Sequence, residues 1–374
     1  MPAVIVGYAR SPFTPAKKGA LARTRPDDIA AAVVNRLISD IGIDPSLVED
    51  LIVGCAFPEA EQGYNLARII TFLTDLPETV PGVTVNRFCG SSMQSIHDAA
   101  ARINSGQGRA FIAGGVESMS RIPMTGFNPM PNPVLAEEAM TSMGITAENL
   151  SKIHGIDRDA QEAFAIESQA RANNARESGS FADEIVPIET TDGTVHEDGC
   201  IRSGTNAEGL RKLRPAFDTN GTVTAGTASP LTDGAAFVFV CSEEFATEHG
   251  LVPMARIKSI AVSGCAPEIM GIGPVAASRK ALERAGLSLD DIDLIELNEA
   301  FAAQSLAVIG ELGLDTDKVN IEGGAIALGH PLGASGARIT GKAAQLMQKN
   351  GAEHALATLC VGGGMGMATV LERV

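Results

Sequence analysis

The amino-acid sequence predicts an α/β protein of two similar halves, in which helices cover mixed, mostly parallel sheets. Three observations lead to this prediction. Short apolar, β-branched runs alternate with helical patterns, a set of these elements near the N-terminus recurs near the C-terminus, and a long middle segment differs in composition. With 374 residues, 45% of them hydrophobic, the chain is long enough for two or three domains with sizeable cores.

The first repeated unit is a helix, a glycine, an acidic turn and a buried strand. It occupies residues 41–53, with Gly42 after the helix and the strand VEDLIV, and again residues 285–297, with Gly286 and the strand IDLIEL. Glycine just past a helix supplies the left-handed conformation that ends it. The alternative is a chance recurrence of strand and helix signals.

The second repeated unit is a strand, a glycine-bearing turn, a helix, a strand and a glycine pair. Residues 85–115 show this order, with the helix at 93–103, and residues 319–363 repeat it. The chain then returns at once as a strand, 367–371, whereas the matching strand of the first copy, 235–240, follows an insertion. We therefore predict three parts, in this order: an N-terminal half at 1–117 completed by 234–252, an inserted loop domain at 118–233, and a C-terminal half at 253–374.

The insertion begins with a stretch rich in methionine and proline, continues through a predicted helix at 159–176 and ends in a basic stretch. Methionine lines adaptable apolar surfaces, so a flexible apolar tail is one candidate ligand; ordinary core packing and a subunit contact are the alternatives. The basic residues are candidates for holding a phosphorylated ligand, and a solvated charged face explains them equally well. They are Arg202, Arg211, Lys212 and Arg214, and the methionines are Met119, Met124, Met130, Met140 and Met143.

Composition argues against several classes of protein. The net charge of −16 disfavours nucleic acid and an anionic membrane as partners, because phosphates attract lysine and arginine. The six cysteines are irregularly spaced and form no CxxC pair, which disfavours a disulfide framework or a zinc site. A strand at residues 3–6 leaves no room for a signal peptide, and no apolar run is long enough to span a bilayer. We expect a soluble, cytoplasmic protein without an integral membrane segment.

Cys89 is the first candidate for chemistry. It lies between the apolar residues 83–85 and the helix predicted at 93–103, which places its sulfur on a strand-to-helix turn. Unpaired N–H groups and aligned peptide dipoles at a helix N-terminus favour an anion, so we expect a lowered pKa for this thiol and a nucleophilic thiolate. Taken alone, a buried cysteine that acts as a small hydrophobe is the alternative.

Three further motifs are expected near this turn. His330 lies in a glycine-rich turn at the position that the repeat relates to Cys89, so the two side chains can face each other. Asn298 follows the strand at 294–297, where strand ends present functional groups. Cys360 begins the run CVGGGMG, which brings a second thiol and a tight turn. This run is not a dinucleotide loop, because no βαβ unit with an acidic residue follows it.

Four motifs together resemble the thiolase family: NRFCGSSMQ at 86–94, NEAFA at 298–302, GHPLG at 329–333 and CVGGGMG at 360–366. They stand in the family's order, and the similarity extends over residues 1–374. The resemblance implies the duplicated five-layer αβαβα thiolase architecture with an inserted loop domain, and an acyltransferase activity. The residues GSS at 90–92 and Ser142 before Met143 are most similar to degradative 3-ketoacyl-CoA thiolases of fatty-acid β-oxidation. Acetoacetyl-CoA thiolase, which runs the biosynthetic Claisen condensation, is the alternative.

Two other functions share features with this reading. A condensing enzyme of fatty-acid or polyketide synthesis has the duplicated fold, but it carries two histidines, or a histidine and an asparagine, with its cysteine; the second thiol, Cys360, argues against it. A non-catalytic lipid carrier is disfavoured because all four motifs are retained. Ala334 stands where many relatives have cysteine, a position outside the expected catalytic groups.

The resemblance implies a role for each catalytic candidate. Cys89 is expected to attack the 3-keto carbonyl of a 3-ketoacyl-CoA, with His330 as general base and Cys360 as the acid that protonates the acetyl-CoA enolate. His330 and a water held by Asn298 would form one oxyanion hole. The N–H groups of Cys89 and Gly362 would form the other.

The resemblance also implies ligands and partners. Coenzyme A is expected as a co-substrate, with no tightly bound cofactor and no metal. A homodimer or tetramer is expected, and a hydratase/dehydrogenase partner of β-oxidation is possible by analogy. The substrate and coenzyme A contacts expected are Ser229 at the pantetheine, Arg202, Arg211 and Lys212 at the phosphates, and Met143 and Phe301.

Overall fold

The computed structural model describes residues 1–135 and 141–374, so Met140 and its four preceding neighbours in the insertion lie outside the described residues. Strands and helices alternate through most of this length. The strands are β1 (Ala3–Arg10), β2 (Thr14–Pro15), β3 (Asp50–Gly54), β4 (Gly82–Val85), β5 (Ala110–Ser118), β6 (Ile188–Thr190), β7 (Gly193–Val195), β8 (Thr232–Ser242), β9 (Ala255–Gly264), β10 (Leu294–Leu297), β11 (His354–Val361) and β12 (Met365–Glu372). The helices are α1 (Pro26–Ile41), α2 (Leu66–Phe72), α3 (Ser91–Asn104), α4 (Met143–His154), α5 (Arg158–Glu177), α6 (Ala207–Arg211), α7 (Glu243–Glu248), α8 (Gly273–Ala285), α9 (Ala302–Leu312), α10 (Ala325–Leu328) and α11 (Leu332–Asn350).

The main sheet runs in the order β10-β11-β12-β9-β1-β8-β5-β3-β4, with β2 paired to β8. Its two halves join where β1 meets β9, through the pairs Val4–Arg256 and Ile5–Ala255. The sheet is mixed, as predicted, but the expectation of mostly parallel strands is wrong. Only the pairs β3–β4, β3–β5 and β10–β11 are parallel among the described strands. Antiparallel pairing dominates because β12 folds straight back on β11 and β8 runs against both β5 and β1.

The structure repeats the same unit in each half. Helix α1 ends at Gly42 with φ 72° and α8 ends at Gly286 with φ 69°, as the sequence predicts, and each is followed by a short 3-10 turn and a buried strand. The glycine pairs are not equivalent, however. Val53 in β3 lies opposite Gly114, whereas its counterpart Leu297 in β10 lies opposite Thr358. The second glycine pair therefore belongs to the β11–β12 turn, not to the strand.

Alternate strand residues face different helix layers. In β8, Phe237 and Phe239 pack with α1, while Val238 and Val240 pack with the central helices α3 and α11. Beyond the second half of the sheet, α8 and α9 cover the opposite outer face. The five-layer αβαβα arrangement follows from this alternation, because each sheet half needs apolar cover on both faces.

The two central helices approach each other very closely. A Cβ on Gly336 of α11 would lie 2.4 Å from the backbone nitrogen of Met93 in α3, so glycine is required at this crossing. Residues 332–347 of α11 are all buried, which fits a helix enclosed between two sheet halves. This packing holds the N-terminal ends of α3 and α11 side by side.

The insertion contributes α4, α5, the β6–β7 hairpin and α6. The helix predicted at 159–176 is confirmed as α5, whereas α4 had not been predicted. Buried ion pairs tie the insertion to β1: Arg10 contacts Glu184 at 2.7 Å and Asp198 at 2.7 Å. The domain boundaries drawn from the sequence stay a prediction. In the part of the chain that is described, no helix has both the length and the apolarity to cross a membrane.

Candidate active site

Cys89 lies on a tight turn between β4 and α3, as the sequence predicts. The preceding residue, Phe88, has φ +43°, a left-handed conformation that is uncommon for a residue with a side chain. Two neighbours hold it there. Asn86 accepts from the Phe88 N–H at 2.8 Å, and the Ser91 hydroxyl donates to the Phe88 carbonyl at 2.6 Å. The turn therefore presents the Cys89 sulfur in a fixed direction at the start of a helix.

Burial of the Cys89 sulfur raises its pKa to about 11. The N–H of Gly362 and that of Cys89 itself donate hydrogen bonds that oppose the rise, while the Glu117 carboxylate adds to it. The expectation of a lowered thiol pKa is therefore wrong for the free protein, because desolvation of the anion outweighs the nearby N–H groups. Near neutral pH Cys89 is a thiol, so it needs a base before it can act as a nucleophile.

Cys360 is the second-last residue of β11 and is 1% exposed. Burial raises its pKa, and the charge of Cys89 raises it further. The two cysteine turns lie together, since a Cβ on Gly362 would lie 3.8 Å from the ring of Phe88, the residue before Cys89. Cys360 belongs to an apolar cluster that includes Met270 and Phe301, with Met143 packed against it. A protonated thiol in apolar surroundings is suited to donate a proton.

His330 follows α10 and lies just before α11, at the place that the repeat relates to Cys89. Its Nδ1 is 2.5 Å from the hydroxyl of Ser335, and that hydroxyl donates to the Pro331 carbonyl at 2.9 Å. Because the Ser335 hydroxyl donates its proton to Pro331, its oxygen accepts a hydrogen bond from Nδ1–H of His330. The free lone pair of the imidazole is therefore on Nε2. Burial lowers the pKa of His330 to about 3, with the charge of Arg338 adding to the shift. The imidazole is therefore neutral and can accept a proton at Nε2.

Asn298 directly follows β10 and is fully buried. Its Nδ2 lies 3.4 Å from Nε2 of His330, and its Oδ1 has no hydrogen-bond partner among the described residues. Its backbone N–H donates to Thr358, two residues before Cys360. The cysteine and histidine turns also meet, because Cys89 packs against a small cluster that contains Leu332. The structure thus gathers Cys89, Cys360, His330, Asn298 and Gly362 in one place.

The predicted ligand contacts fall into two groups. Met143 begins α4 and would lie 3.7 Å from a Cβ on Gly362, and Phe301 belongs to the apolar cluster that contains Cys360, so both lie beside the site. The Ser229 hydroxyl is partly buried and donates to the Ala300 carbonyl at 3.0 Å, next to Phe301.

The basic candidates, in contrast, are all exposed at the edge of the insertion, and Lys212 pairs with Glu208 at 2.7 Å. Arg211 and Lys212 lie at the end of α6, beside the loop that carries Ser229: a Cβ on Gly226 of this loop would meet Leu210 at 2.5 Å. These candidates are Arg202, Arg211 and Lys212.

Sequence reasoning missed three polar residues that build the site. Ser335 orients His330, Thr232 accepts from the His330 N–H at 3.0 Å, and Glu117 lies behind both turns. Only Glu117 carried a usable signal, since an acidic residue at the end of an apolar strand requires a buried partner. The hydroxyls gave no signal, because serine and threonine are common at helix starts.

Comparison with known proteins identifies the family. Residues 3–244 match the family described as "Thiolase, N-terminal domain", and residues 251–373 match "Thiolase, C-terminal domain". A Bacillus subtilis protein named 3-ketoacyl-CoA thiolase is 49% identical over 386 residues, and one of the same name from Idiomarina loihiensis is 50% identical over 384 residues. Each alignment covers 99% of both chains.

Solved structures agree with this result. Human mitochondrial 3-ketoacyl-CoA thiolase is 38% identical with a TM-score of 0.93, and the match covers 100% of this chain and 99% of that one. The same human enzyme in complex with CoA matches equally well. The Bacillus anthracis acetyl-CoA acetyltransferase is 40% identical with a TM-score of 0.92, over 100% of this chain and 99% of that one. The chain therefore belongs to the thiolase family of acyltransferases.

Proposed function

We propose that this protein is a 3-ketoacyl-CoA thiolase, which uses coenzyme A to cleave a 3-ketoacyl-CoA into acetyl-CoA and a shortened acyl-CoA. The observation that carries the proposal is that two thiols, the partly buried Cys89 and the buried Cys360, lie in one site with the neutral imidazole of His330. The names of the full-length relatives at 49–50% identity support the substrate class.

The first step forms a covalent intermediate on Cys89. His330 takes the thiol proton at Nε2, and the sulfur attacks the 3-keto carbon of the substrate. The negative charge that develops on the former carbonyl oxygen accepts hydrogen bonds from the N–H groups of Cys89 and Gly362. This arrangement suits a thiol that is neutral in the free protein, because ionisation then accompanies attack.

The second step breaks the bond between C2 and C3 of the substrate. The electron pair leaves as the enolate of acetyl-CoA, and Cys360 delivers a proton to C2. The protonated Nε2 of His330 and a water on Asn298 stabilise the enolate oxygen; the unpartnered Oδ1 of Asn298 supports this role. Coenzyme A, deprotonated by the Cys360 thiolate that this transfer leaves, then attacks the Cys89 thioester. The Cys89 sulfur leaves as a thiolate and regains its proton from Nε2 of His330, and the shortened acyl-CoA is released. In reverse, the same steps perform a Claisen condensation.

Ser335 provides a test of the imidazole's role. Ser335→Ala should lower kcat by about 10- to 100-fold, because His330 loses the partner that keeps its proton on Nδ1. Steady-state thiolysis with a 3-ketoacyl-CoA measures the effect. Ser335→Thr, which keeps a hydroxyl, should recover part of the loss. Unchanged kcat in Ser335→Ala would show that the tautomer is fixed by other means.

Coenzyme A would lie against the insertion. The pantetheine is expected beside Ser229, and the acyl chain is expected in an apolar pocket formed by the side chains of the cluster that includes Met143 and Phe301. Arg202, Arg211 and Lys212 are the candidates for the phosphates, and their exposure makes them accessible to a nucleotide. The crystal structure of the human enzyme in complex with CoA supports coenzyme A as the co-substrate.

Acetoacetyl-CoA thiolase activity is the second candidate, and the similarity to the Bacillus anthracis acetyl-CoA acetyltransferase favours it. Substrate length separates the two. We expect kcat/KM to rise from acetoacetyl-CoA to longer 3-ketoacyl-CoAs, by up to about fourfold per added methylene while the chain remains in the apolar pocket. Initial rates across a series of chain lengths measure this. Activity confined to acetoacetyl-CoA would contradict the proposed substrate class.

Other properties stay predictions. They are the division at residues 117, 233 and 252, a homodimer or tetramer, a hydratase/dehydrogenase partner and a cytoplasmic location. Gel filtration and co-purification from a native extract test the oligomer and the partner, respectively.

A further inference from the structure

Glu117 is a fully buried carboxylate at the end of β5. Its Oε2 accepts from the N–H groups of Ala56 at 2.8 Å and Gly333 at 2.9 Å, and its Oε1 accepts from Gln62 at 2.7 Å and from the Phe57 N–H at 3.3 Å. Burial raises the pKa of the Glu117 carboxyl, and the hydrogen bonds from these donors oppose that rise. Because a protonated carboxyl would have to donate a hydrogen bond, a set made of donors favours the ionised form. Burying such a charge costs free energy unless these donors are in place.

One side of Glu117 leads to the nucleophile turn. Ala56, whose N–H donates to the carboxylate, accepts at its carbonyl from the Asn86 side chain at 3.0 Å. Asn86 in turn accepts from the N–H of Phe88, the left-handed residue just before Cys89. The position of the Cys89 turn therefore depends on where Glu117 holds Ala56.

The other side of Glu117 leads to the imidazole turn. Gly333, three residues after His330, donates its N–H to the carboxylate. A Cβ on Gly333 would lie 2.9 Å from Oε2 and 2.5 Å from the Val116 carbonyl, so only glycine permits this approach. A Cβ on Gly115 would lie 2.1 Å from the Gly333 carbonyl. Strand β5 and the start of α11 are thus in close backbone contact beside this carboxylate.

The duplicated fold does not itself require a charge here. By strand register, Gly114 corresponds to Thr358, so Glu117 corresponds to Val361 in the second half. Val361 is also fully buried, and a Cβ on Gly90 would lie 2.9 Å from its side chain. The equivalent contact between a strand end and a central helix is therefore apolar. The charge at position 117 needs a reason beyond packing.

We propose that Glu117 is a positioning residue for the reaction, whose carboxylate holds the Cys89 turn and the His330 turn in a single fixed arrangement. The inference rests on the proposed function, since that function requires thiol and imidazole to meet. Gln62 supports the arrangement from Oε1 without contacting either turn, because its amide bridges the carboxylate and the Phe57 carbonyl.

The negative charge of Glu117 also affects the ionisation of Cys89. Glu117 raises the pKa of Cys89, in addition to burial, so it keeps the sulfur protonated until a base removes the proton. The other titratable groups around this pair are Cys360 beside Cys89, His330 on the adjoining turn and Cys55, whose sulfur is 3.7 Å from Glu117. Raised pKa values for Cys55 and Cys360 and a lowered value for His330 leave all three neutral near pH 8. Among the groups around Cys89 in the described part of the chain, Glu117 alone then carries a charge that opposes the ionisation of this thiol.

Glu117→Gln tests both effects in the full-length protein. Glutamine has the same shape, but it removes the charge and places an NH₂ among N–H donors. We expect kcat for thiolysis to fall by about 100-fold, as for a misplaced general base. We also expect alkylation of Cys89 by iodoacetamide at pH 8 to become at least about threefold faster, because the thiol pKa falls and more thiolate is present. A residue that served packing alone would leave the thiol pKa unchanged.

Two variants accompany this one. Glu148→Gln makes the same change in a buried carboxylate that binds the N–H groups of Thr222 and Val223, and it should leave the Cys89 alkylation rate unchanged. Glu117→Asp keeps the charge on a shorter side chain. Glu117→Asp should lower kcat and leave the Cys89 alkylation rate close to that of the wild type. If Glu117→Gln does not fold, the kcat of Glu117→Asp tests the positioning role.

The outcomes separate the two proposals. Wild-type kcat in folded Glu117→Gln or in Glu117→Asp overturns the positioning role, and so does an alkylation rate that is unchanged or slower in folded Glu117→Gln. Both comparisons require a wild-type protein that is active in thiolysis. A wild-type protein that cleaves no 3-ketoacyl-CoA contradicts the proposed function instead, and the alkylation rates still report on the contact between Glu117 and Cys89.

Discussion

Replacing Cys89 by alanine is expected to lower thiolysis by more than about 10⁴-fold, because no other group can form the covalent intermediate. Cys360 does not substitute for it, since burial raises its pKa further still and its surroundings are apolar. Incubation of Cys89→Ala with a 3-ketoacyl-CoA should give no acyl adduct by intact-protein mass spectrometry. The wild type, incubated without coenzyme A, should gain one acyl group on Cys89.

A cysteine outside the site supplies the control. Cys241 is fully buried in β8, opposite Val4, and plays no part in the proposed steps. Cys241→Ala should lower the free energy of unfolding by about 1 kcal/mol and leave kcat within about threefold of the wild type. Thiolysis that survives in Cys89→Ala would refute the acyl-enzyme mechanism and would leave the lipid-carrier alternative open.

Replacing Cys360 by alanine is expected to lower overall turnover by about 10³-fold, because the enolate loses its proton donor and coenzyme A loses its base. Transfer of an acyl group from a simple acyl-CoA to Cys89 should persist, since coenzyme A can leave as a thiolate without the proton that the enolate carbon needs, and Cys89 and His330 are both retained. Rapid-quench measurement of the acyl adduct, set beside steady-state thiolysis, separates the two steps. Exchange of the C2 protons of acetyl-CoA with deuterated solvent should be lost in the same variant.

Cys265 offers a matched comparison, because it is a partly buried thiol whose sulfur is close enough to affect Cys360. Cys265→Ala should leave both steps within about threefold of the wild type. An equal loss of acylation and turnover in Cys360→Ala would contradict the division of roles between the two thiols. It would instead indicate that Cys360 supports the shape of the pocket.

The elements best predicted from sequence are those with local signals. Gly42 and Gly286 ended two helices because a left-handed residue is needed there, and the repeat they mark led to the duplicated fold. The same repeat placed His330 opposite Cys89, and the shared helix-start positions at Ser91 and Leu332 confirm that correspondence. Helix α4, by contrast, followed a methionine- and proline-rich stretch that gave no clear period.

The expectations that failed depended on three-dimensional surroundings. The return of the chain as β12 was visible in the sequence. The antiparallel pairing of β8 with β5 and β1, and of β9 with β12, was not, because strand patterns do not report which strands become neighbours. The Cys89 pKa was expected to fall because the helix start is visible in sequence. The burial that raises it involves residues far along the chain, such as Leu332, and the charge of Glu117 adds to the rise.

The sequence by itself determined the family, the duplicated fold and the residue types of the site, because glycine turns, buried strands and reactive side chains are local features. Only the tertiary structure decided which proton each group holds. Desolvation keeps Cys89 and Cys360 as thiols and His330 neutral, and Ser335 and Glu117 orient the two turns. The physical reason is that a pKa depends on solvent exclusion and on charges within a few ångströms, which exist only once the two halves have packed together.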